Sequence, residues 1–161
     1  MHTFDASSII HAWDNYPLEQ FPPLWDWLAN LIASGGLTIP TVALDEVAKK
    51  TPECAQWLKD NQIMVLPLED DILLQASQFK HELGIADDNY HSRGVGENDL
   101  LIVASAKFNQ AILISNEGRQ ARPPKTKSQY KIPSVCDLPD VGVKCVNFLE
   151  FIKASDAVFT K

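Results

Sequence analysis

Ala111-Ile112-Leu113-Ile114-Ser115-Asn116-Glu117 is a short apolar run that stops abruptly at polar residues. This is the pattern of a strand buried on both faces in a parallel sheet, and it leaves Glu117 at the strand's carboxyl end. Toward the amino terminus, Asn98-Asp99 precedes Leu100-Leu101-Ile102-Val103-Ala104-Ser105-Ala106. These are strong helix formers behind a good cap residue, which puts Asp99 in the first turn of a helix. Farther back, Leu37-Thr38-Ile39 is extended and Pro40 biases Ile39 away from helix. Val42, Leu44, Val47 and Ala48 then suit a short helix carrying Asp45 and Glu46. Met1 to Phe4 reads as a first strand closed by Asp5.

The remaining segments fill in an alternating order. Pro23, Leu24, Leu28, Leu31 and Ile32, followed by Gly35-Gly36, mark a helix with start and stop signals. A helix near Pro52 to Lys59 leads into a strand at Ile63 to Pro67, and Ile72, Leu73, Ala76, Phe79 and Leu83 recur at helical spacing up to Gly84. Val143 to Val146 reads as a last strand and Phe148 to Ile152 as a helix. Strands that alternate with helices favour a parallel sheet covered on both faces. Ile85 to Glu97 has no clear period and reads as a polar loop entering at Asp99, a candidate lid or specificity loop.

Asp5, Glu46, Asp99 and Glu117 thus stand at strand ends or in helices that follow them. In open α/β sheets the functional crevice lies beyond the carboxyl ends of the strands. Carboxylates gathered there repel one another and have perturbed pKa values unless cations lie between them. Oxygen ligands of this kind select Mg²⁺ or Mn²⁺ over zinc.

A length of 161 residues and a hydrophobic content of 45% fit one domain spanning 1–161 with a single core. No signal-peptide pattern and no run near about 18 apolar residues is present, so a cytoplasmic protein without membrane spans is expected. Cys54, Cys136 and Cys145 lack metal-like spacing and read as reduced, structural thiols. A net charge of −7 argues against non-specific adhesion to nucleic acid. The charge is uneven, however: Arg119, Arg122, Lys125, Lys127 and Lys131 follow Glu117 with no acid among them. That segment either guides a phosphate backbone toward the carboxylates or is a solvated basic loop broken by Pro123 and Pro124. Trp25 and Trp27 likewise fit base stacking, a partner face or core packing.

In order, these motifs resemble those of the PIN-domain nucleases, a family that includes the toxin ribonucleases of bacterial toxin–antitoxin pairs. Phe4-Asp5-Ala6-Ser7-Ser8-Ile9-Ile10 looks like the family's strand-Asp-Thr-Ser start, and Leu44-Asp45-Glu46-Val47 like its helix-borne Glu. Asn98 to Ala106 is similar to its helix-start Asp, and Leu113-Ile114-Ser115-Asn116-Glu117 to its strand-Thr-any-Asp end. The likeness spans about residues 1 to 120. Ala6 stands where Thr is common, and Glu117 stands where Asp is usual, which lengthens that ligand arm by a methylene. The tail from Lys131 resembles a poorly characterised PIN-like branch.

The resemblance implies a three-layer α/β/α domain with a mostly parallel sheet. It implies a Mg²⁺- or Mn²⁺-dependent endoribonuclease, the toxin of a toxin–antitoxin pair, with an antitoxin partner and a homodimer as further expectations. Asp5, Glu46, Asp99 and Glu117 would be its catalytic and metal-holding residues. Two metals would activate water and stabilise the leaving oxygen. Asp45 competes with Glu46, since adjacent helical residues point about 100° apart, and the motif selects Glu46. Ser7, Ser115, Arg93, Arg119 and Arg122 are the candidate RNA contacts, the serines with turn and cap roles as their competing reading.

Other enzyme classes fit less well. Aspartyl phosphatases want a second acid two residues after the first, where Ser7 stands. No Gly-rich dinucleotide turn or P-loop is present, and the four histidines form no spaced metal motif. The rival reading is a PIN-like RNA- or protein-binding module with weakened catalysis.

Overall fold

Short strands of two to four residues form the centre of the fold. In the computed structural model, which describes residues 1–160, they form one five-stranded sheet in which all four strand pairings are parallel. The order of elements is β1 (His2–Phe4), α1 (Ala6–Asn15), α2 (Pro22–Ala33), β2 (Leu37–Pro40), α3 (Thr41–Lys50), α4 (Pro52–Asp60) and β3 (Met64–Leu66). It continues with α5 (Asp70–Glu82), α6 (Glu97–Phe108), β4 (Ile112–Ile114), α7 (Ile132–Cys136), β5 (Cys145–Val146) and α8 (Phe148–Ser155). Helices flank the sheet, giving the α/β/α architecture of a PIN-like fold.

The strand order is β3-β2-β1-β4-β5. The chain therefore steps from β1 outward through β2 to β3, then returns to the other side of β1 for β4 and β5. The switch lies between β1 and β4, paired from His2 with Ile112 to Phe4 with Ile114. Connections diverge there, so the crevice opens beyond Phe4 and Ile114.

Local chemistry sets the boundaries. Pro22 and Pro23 occupy the first turn of α2, where a missing N–H costs nothing, and Gly35 follows that helix at φ 77°, a conformation that glycine tolerates. Asn147 caps α8 by accepting the Glu150 N–H, while Glu150 accepts the Asn147 N–H, a reciprocal capping box. Phe4, Ile9, Leu28, Ile39, Leu113 and Phe148 are among the fully buried core side chains. Met64 and Val65 are exposed because β3 is a sheet edge. Among the described residues no helix is long and apolar enough to cross a membrane.

Three details differ from the sequence expectations. The last strand is confined to Cys145–Val146: Gly142 turns at φ 61° and Val143 N–H bonds back to Cys136 O, so Val143 belongs to the return from α7. Helix α7 itself, only five residues with Pro133 in its first turn, has no periodic signal to announce it. Helix α6 starts at Glu97 with Gly96 as its cap, rather than behind Asn98.

The cysteines are free, with Cys54 and Cys136 buried. Burial, followed by the nearby Asp14 charge, pushes the Cys54 thiol up to about 12, so it stays protonated and inert.

Candidate functional site

Asp5 is the first residue past β1, in extended backbone at the start of α1, and its N–H still pairs with Ile114 O at 2.9 Å. That ladder bond carries its carboxyl group to the β1/β4 switch point. The residue is only 2% exposed. Two hydroxyls converge on its Oδ2: Ser7 Oγ donates at 2.5 Å and Ser115 Oγ at 2.9 Å. Ser7 Oγ also accepts the Asn116 N–H at 2.9 Å, and Ser115 Oγ the Glu117 N–H at 3.2 Å. Ser8 locks the crossing below by donating to Asp5 O and to Ile114 O. The serines of both motifs thus orient the first carboxylate and shape the turn that carries the fourth.

Asp99 is the third residue of α6, and its Oδ2 accepts the Gly96 N–H at 2.9 Å. This back-bond fixes its rotamer and leaves the carboxyl group facing the crevice side of the helix start. Glu46 sits in α3, the helix after β2, and is half-buried. Glu117 follows β4 and is half-buried. All four arms therefore approach the carboxyl edge of the sheet, from the ends of β1 and β4 and from α3 and α6.

Their electrostatics show that they share one neighbourhood. Burial raises Asp5 above the ordinary carboxylate range, opposed by the hydroxyls of Ser7 and Ser115 and the N–H groups of Ala6 and Ser7. Burial raises Asp99 to about 6, with the charges of Asp5 and Glu117 adding to the effect. Glu46 is raised by burial, then by Asp5 and Asp99. Glu117 is raised by burial, then by Asp5, with Glu46 a lesser cause. Glu46, Asp99 and Glu117 each feel Asp5 and one further acid of the set, whereas Asp5 itself is governed by burial and its hydrogen bonds; the cations that oppose them are Lys50 and Lys131.

A cavity of about 590 Å³ opens beside this cluster and is lined by Arg93, Asp99, Glu117, Gln120, Gln129 and Lys131 among others. Arg93, in the loop before α6, reaches it. Arg119 does not line it: its guanidinium donates to Cys145 O at 2.8 Å and pairs with Glu150 at 3.1 Å, tying the loop after β4 to β5 and α8. Arg122 is exposed outside the cavity lining. Lys50 and Gln120 are absent from the sequence expectations. Lys50 carried a signal, four residues after Glu46 on one helix face, whereas nothing in the sequence announces Gln120.

Trp25 is core, 2% exposed, with its Nε1–H donating to Tyr16 O. Trp27 packs on Phe151, which in turn meets His2 at the amino end of β1. That end is opposite the acids, so neither indole stands at the crevice.

The donor set is all oxygen, four carboxylates with two hydroxyls behind them, and it suits a hard divalent cation. Among the described residues no three His, Cys, Asp or Glu side chains stand close enough together to ligate one ion directly. Unscreened like charges favour such a spread. The chemistry of the donors fits Mg²⁺ or Mn²⁺; their present spacing is wider than that of a closed ligand shell.

A family model described as a domain of unknown function (DUF4411) matches residues 2–159. No curated protein matches the chain in sequence. Among solved structures, a chain in the crystal structure of VapBC2 from Rickettsia felis bound to a DNA fragment from their promoter is similar in fold. Its TM-score is 0.56 at 17% identity, over 91% of this chain and 98% of that chain. At that identity the likeness is one of fold, and the fold is PIN-like.

Proposed function

This chain belongs to the DUF4411 family, and from its carboxylate crevice we propose that it is a metal-dependent endoribonuclease built as one domain over residues 1–161. The observation that carries the reading is that Asp5, held by Ser7 and Ser115 at the switch point of a parallel sheet, lies near enough to Glu46, Asp99 and Glu117 for its charge to raise all three. Four neighbouring acids whose carboxyl groups are raised by burial, with no carboxylate-bound lysine or arginine among the described residues except the Arg119–Glu150 pair, form a site that gains stability from a bound cation.

Asp5 and Asp99 are the central holding residues, Glu46 and Glu117 the flanking ones, acting directly or through water. When bound, Mg²⁺ or Mn²⁺ would supply an activated water and stabilise the leaving oxygen of a phosphodiester. The chain's own contribution is positional. Ser7 and Ser115 hold Asp5 in one rotamer, Gly96 holds Asp99, and Arg93 offers a charge to the RNA backbone. Preorganisation of this kind removes the reorganisation cost when charge develops.

The fold likeness to a VapBC2 chain supports a place in a toxin–antitoxin pair. It favours a cytoplasmic RNA-cutting toxin with an antitoxin protein as partner. Exposed Met64, Val65, Leu73 and Leu74 along β3 and α5 offer apolar surface for that partner or for a second copy.

The test is cleavage of single-stranded RNA with and without Mn²⁺, alongside Mn²⁺ titration followed by calorimetry. Asp5→Asn and Asp99→Asn are each expected to abolish cleavage and weaken Mn²⁺ binding while the proteins stay folded. The wide spacing of the acids favours a second reading, an RNA-binding module of the same fold. RNA retention without cleavage, unchanged in both variants, would establish that reading in place of the first.

A further inference from the structure

The cavity beside Asp99 and Glu117 is walled by two loops that the backbone welds together. Val95 N–H bonds to Tyr130 O at 2.9 Å, and Gly94 lies so close to the opposite loop that a Cβ there would meet Ser128 O at 2.0 Å. Gln120 closes the second loop on itself. Its Nε2 donates to Gln129 O at 3.1 Å, and its Oε1 accepts the Lys131 N–H at 2.9 Å and the Ser134 hydroxyl at 2.8 Å. The walls are therefore held by the Val95–Tyr130 main-chain bond and the Gln120 amide, independent of any ligand.

Into this space comes one half-buried cation. Lys131 lines the cavity together with Asp99 and Glu117, and its Nζ stands 3.8 Å from where a side chain on Gly118 would begin. Among the described residues it forms no close ion pair, although its charge reaches Glu117. A lysine anchored through its backbone, aimed into a cavity and lacking a carboxylate in contact, is placed to receive an anion. Asp99 and Glu117 repel a phosphate, and of the two cations on the lining Arg93 is exposed at the rim while Lys131 is half-buried among the acids, which makes Lys131 the one placed to offset them. The rest of the lining is mixed: Gln129 and Ser92 offer hydrogen bonds, while Val95, Pro124 and Ile132 offer apolar contact. A volume of about 590 Å³ falls in the range of small-ligand sites.

We propose that this cavity is a nucleotide subsite, taking the nucleotide next to the scissile bond, with the Lys131 ammonium on that nucleotide's phosphate. The assignment deepens the nuclease reading and rests on it for the location of the cut. Lys131 is then a substrate-binding residue, and Gln120 positions it.

The test is titration of the full chain with adenosine 5′-monophosphate and with adenosine, each with and without Mg²⁺, in wild type, Lys131→Gln and Lys131→Arg. Wild type is expected to bind the monophosphate more tightly than the nucleoside. Lys131→Gln should lose about tenfold or more of the monophosphate affinity with adenosine binding unchanged, and Lys131→Arg should keep most of it. Thermal melts of the three proteins confirm that folding is intact. With RNA as substrate, Lys131→Gln should raise KM and leave kcat nearly unchanged. Equal monophosphate binding in wild type and Lys131→Gln, or no preference for the monophosphate over adenosine in wild type, overturns the subsite. Failure of wild type to cut RNA overturns the nuclease reading alone, because the nucleotide titrations need no turnover.

Discussion

Ser115 at the end of β4 and Asp5 at the end of β1, 110 positions apart in sequence, are joined by a 2.9 Å hydrogen bond from Oγ to Oδ2. The bond gives a buried carboxylate one of its two hydroxyl donors and couples the two strand ends at the switch point. Ser115→Ala removes that donor and also the acceptor of the Glu117 N–H, at an expected cost of about 1–3 kcal/mol in urea unfolding. With fewer donors the Asp5 pKa rises further. A raised folded-state pKa means that the folded protein holds the proton longer than the unfolded chain, so stability falls as pH rises. The penalty of Ser115→Ala should therefore be larger at neutral than at mildly acid pH. Equal penalties at both would show that the hydroxyl does not serve the carboxylate.

Asp99 supplies a clearer pH signature. Its folded pKa stands at about 6 against an ordinary 3.8. Between those values the folded protein binds a proton that the unfolded chain has released, and stability is lost as pH climbs through that window. Discounted for partial exposure, the effect is about 1–2 kcal/mol. Asp99→Asn keeps an oxygen to accept the Gly96 N–H and removes the charge. It should be more stable than wild type above pH 6 and show a flatter profile from pH 4 to 6. Saturating Mn²⁺ should raise the Tm of wild type above pH 6 and leave that of Asp99→Asn nearly unmoved.

The three-indole cluster predicts a purely structural loss. Trp25 meets Trp13 edge-on at 5.4 Å and Trp57 at 4.8 Å between ring centroids, and its N–H is bonded to Tyr16 O at 2.7 Å. Trp25→Ala should cost about 3–5 kcal/mol. Trp25→Phe keeps most of the contact and loses the N–H bond, so a smaller penalty is expected, with RNA affinity unchanged. A fall in RNA affinity for folded Trp25→Phe would return this residue to a base-stacking role.

Sequence carried the sheet and the acids because both depend on local pattern. A buried parallel strand must be apolar, as at Ile112–Ile114, and the acids follow such a strand, open a helix or, for Glu46, ride in the helix that a strand leads into. Where the pattern is absent, the reading thins. Helix α7 and the two-residue β5 are held by bonds to distant residues, such as Ser134 Oγ to Gln120 Oε1 and Ser115 N–H to Val146 O, which no periodicity encodes. The basic run after Glu117 looked uniform, but the fold separates its members: Arg119 turns to Glu150 and Cys145, while Lys131, twelve residues later, returns to the acids. Charge composition cannot distinguish the two, since the difference lies in Gln120, whose amide closes the loop. Asp45 and Glu46 show the converse: they are adjacent, yet it is Glu46 whose carboxyl feels Asp5 and Asp99, as helical geometry allows for one of two neighbours.

Gly94 tests whether the welded loops matter to the cavity apart from the acids. Its backbone approaches Ser128 and Gln129 so closely that a single added methyl group would overlap Ser128 O and the Gln129 Cα. Both obstacles are main chain, so the loops must separate to admit it. Gly94→Ala should then break the neighbouring Val95 N–H to Tyr130 O bond at a cost of about 1–3 kcal/mol. Hydrogen exchange at Val95 is the direct readout and should speed up in the variant, whereas exchange at Leu113 in β4 should change only by the global loss of stability. Because Asp5, Ser7 and Ser115 lie on the sheet side of the crevice, Mn²⁺ affinity should fall less than affinity for adenosine 5′-monophosphate. A variant that loses both equally would mean that the two loops hold the acids as well as the cavity, and one that loses neither would mean that the close approach at Gly94 is dispensable.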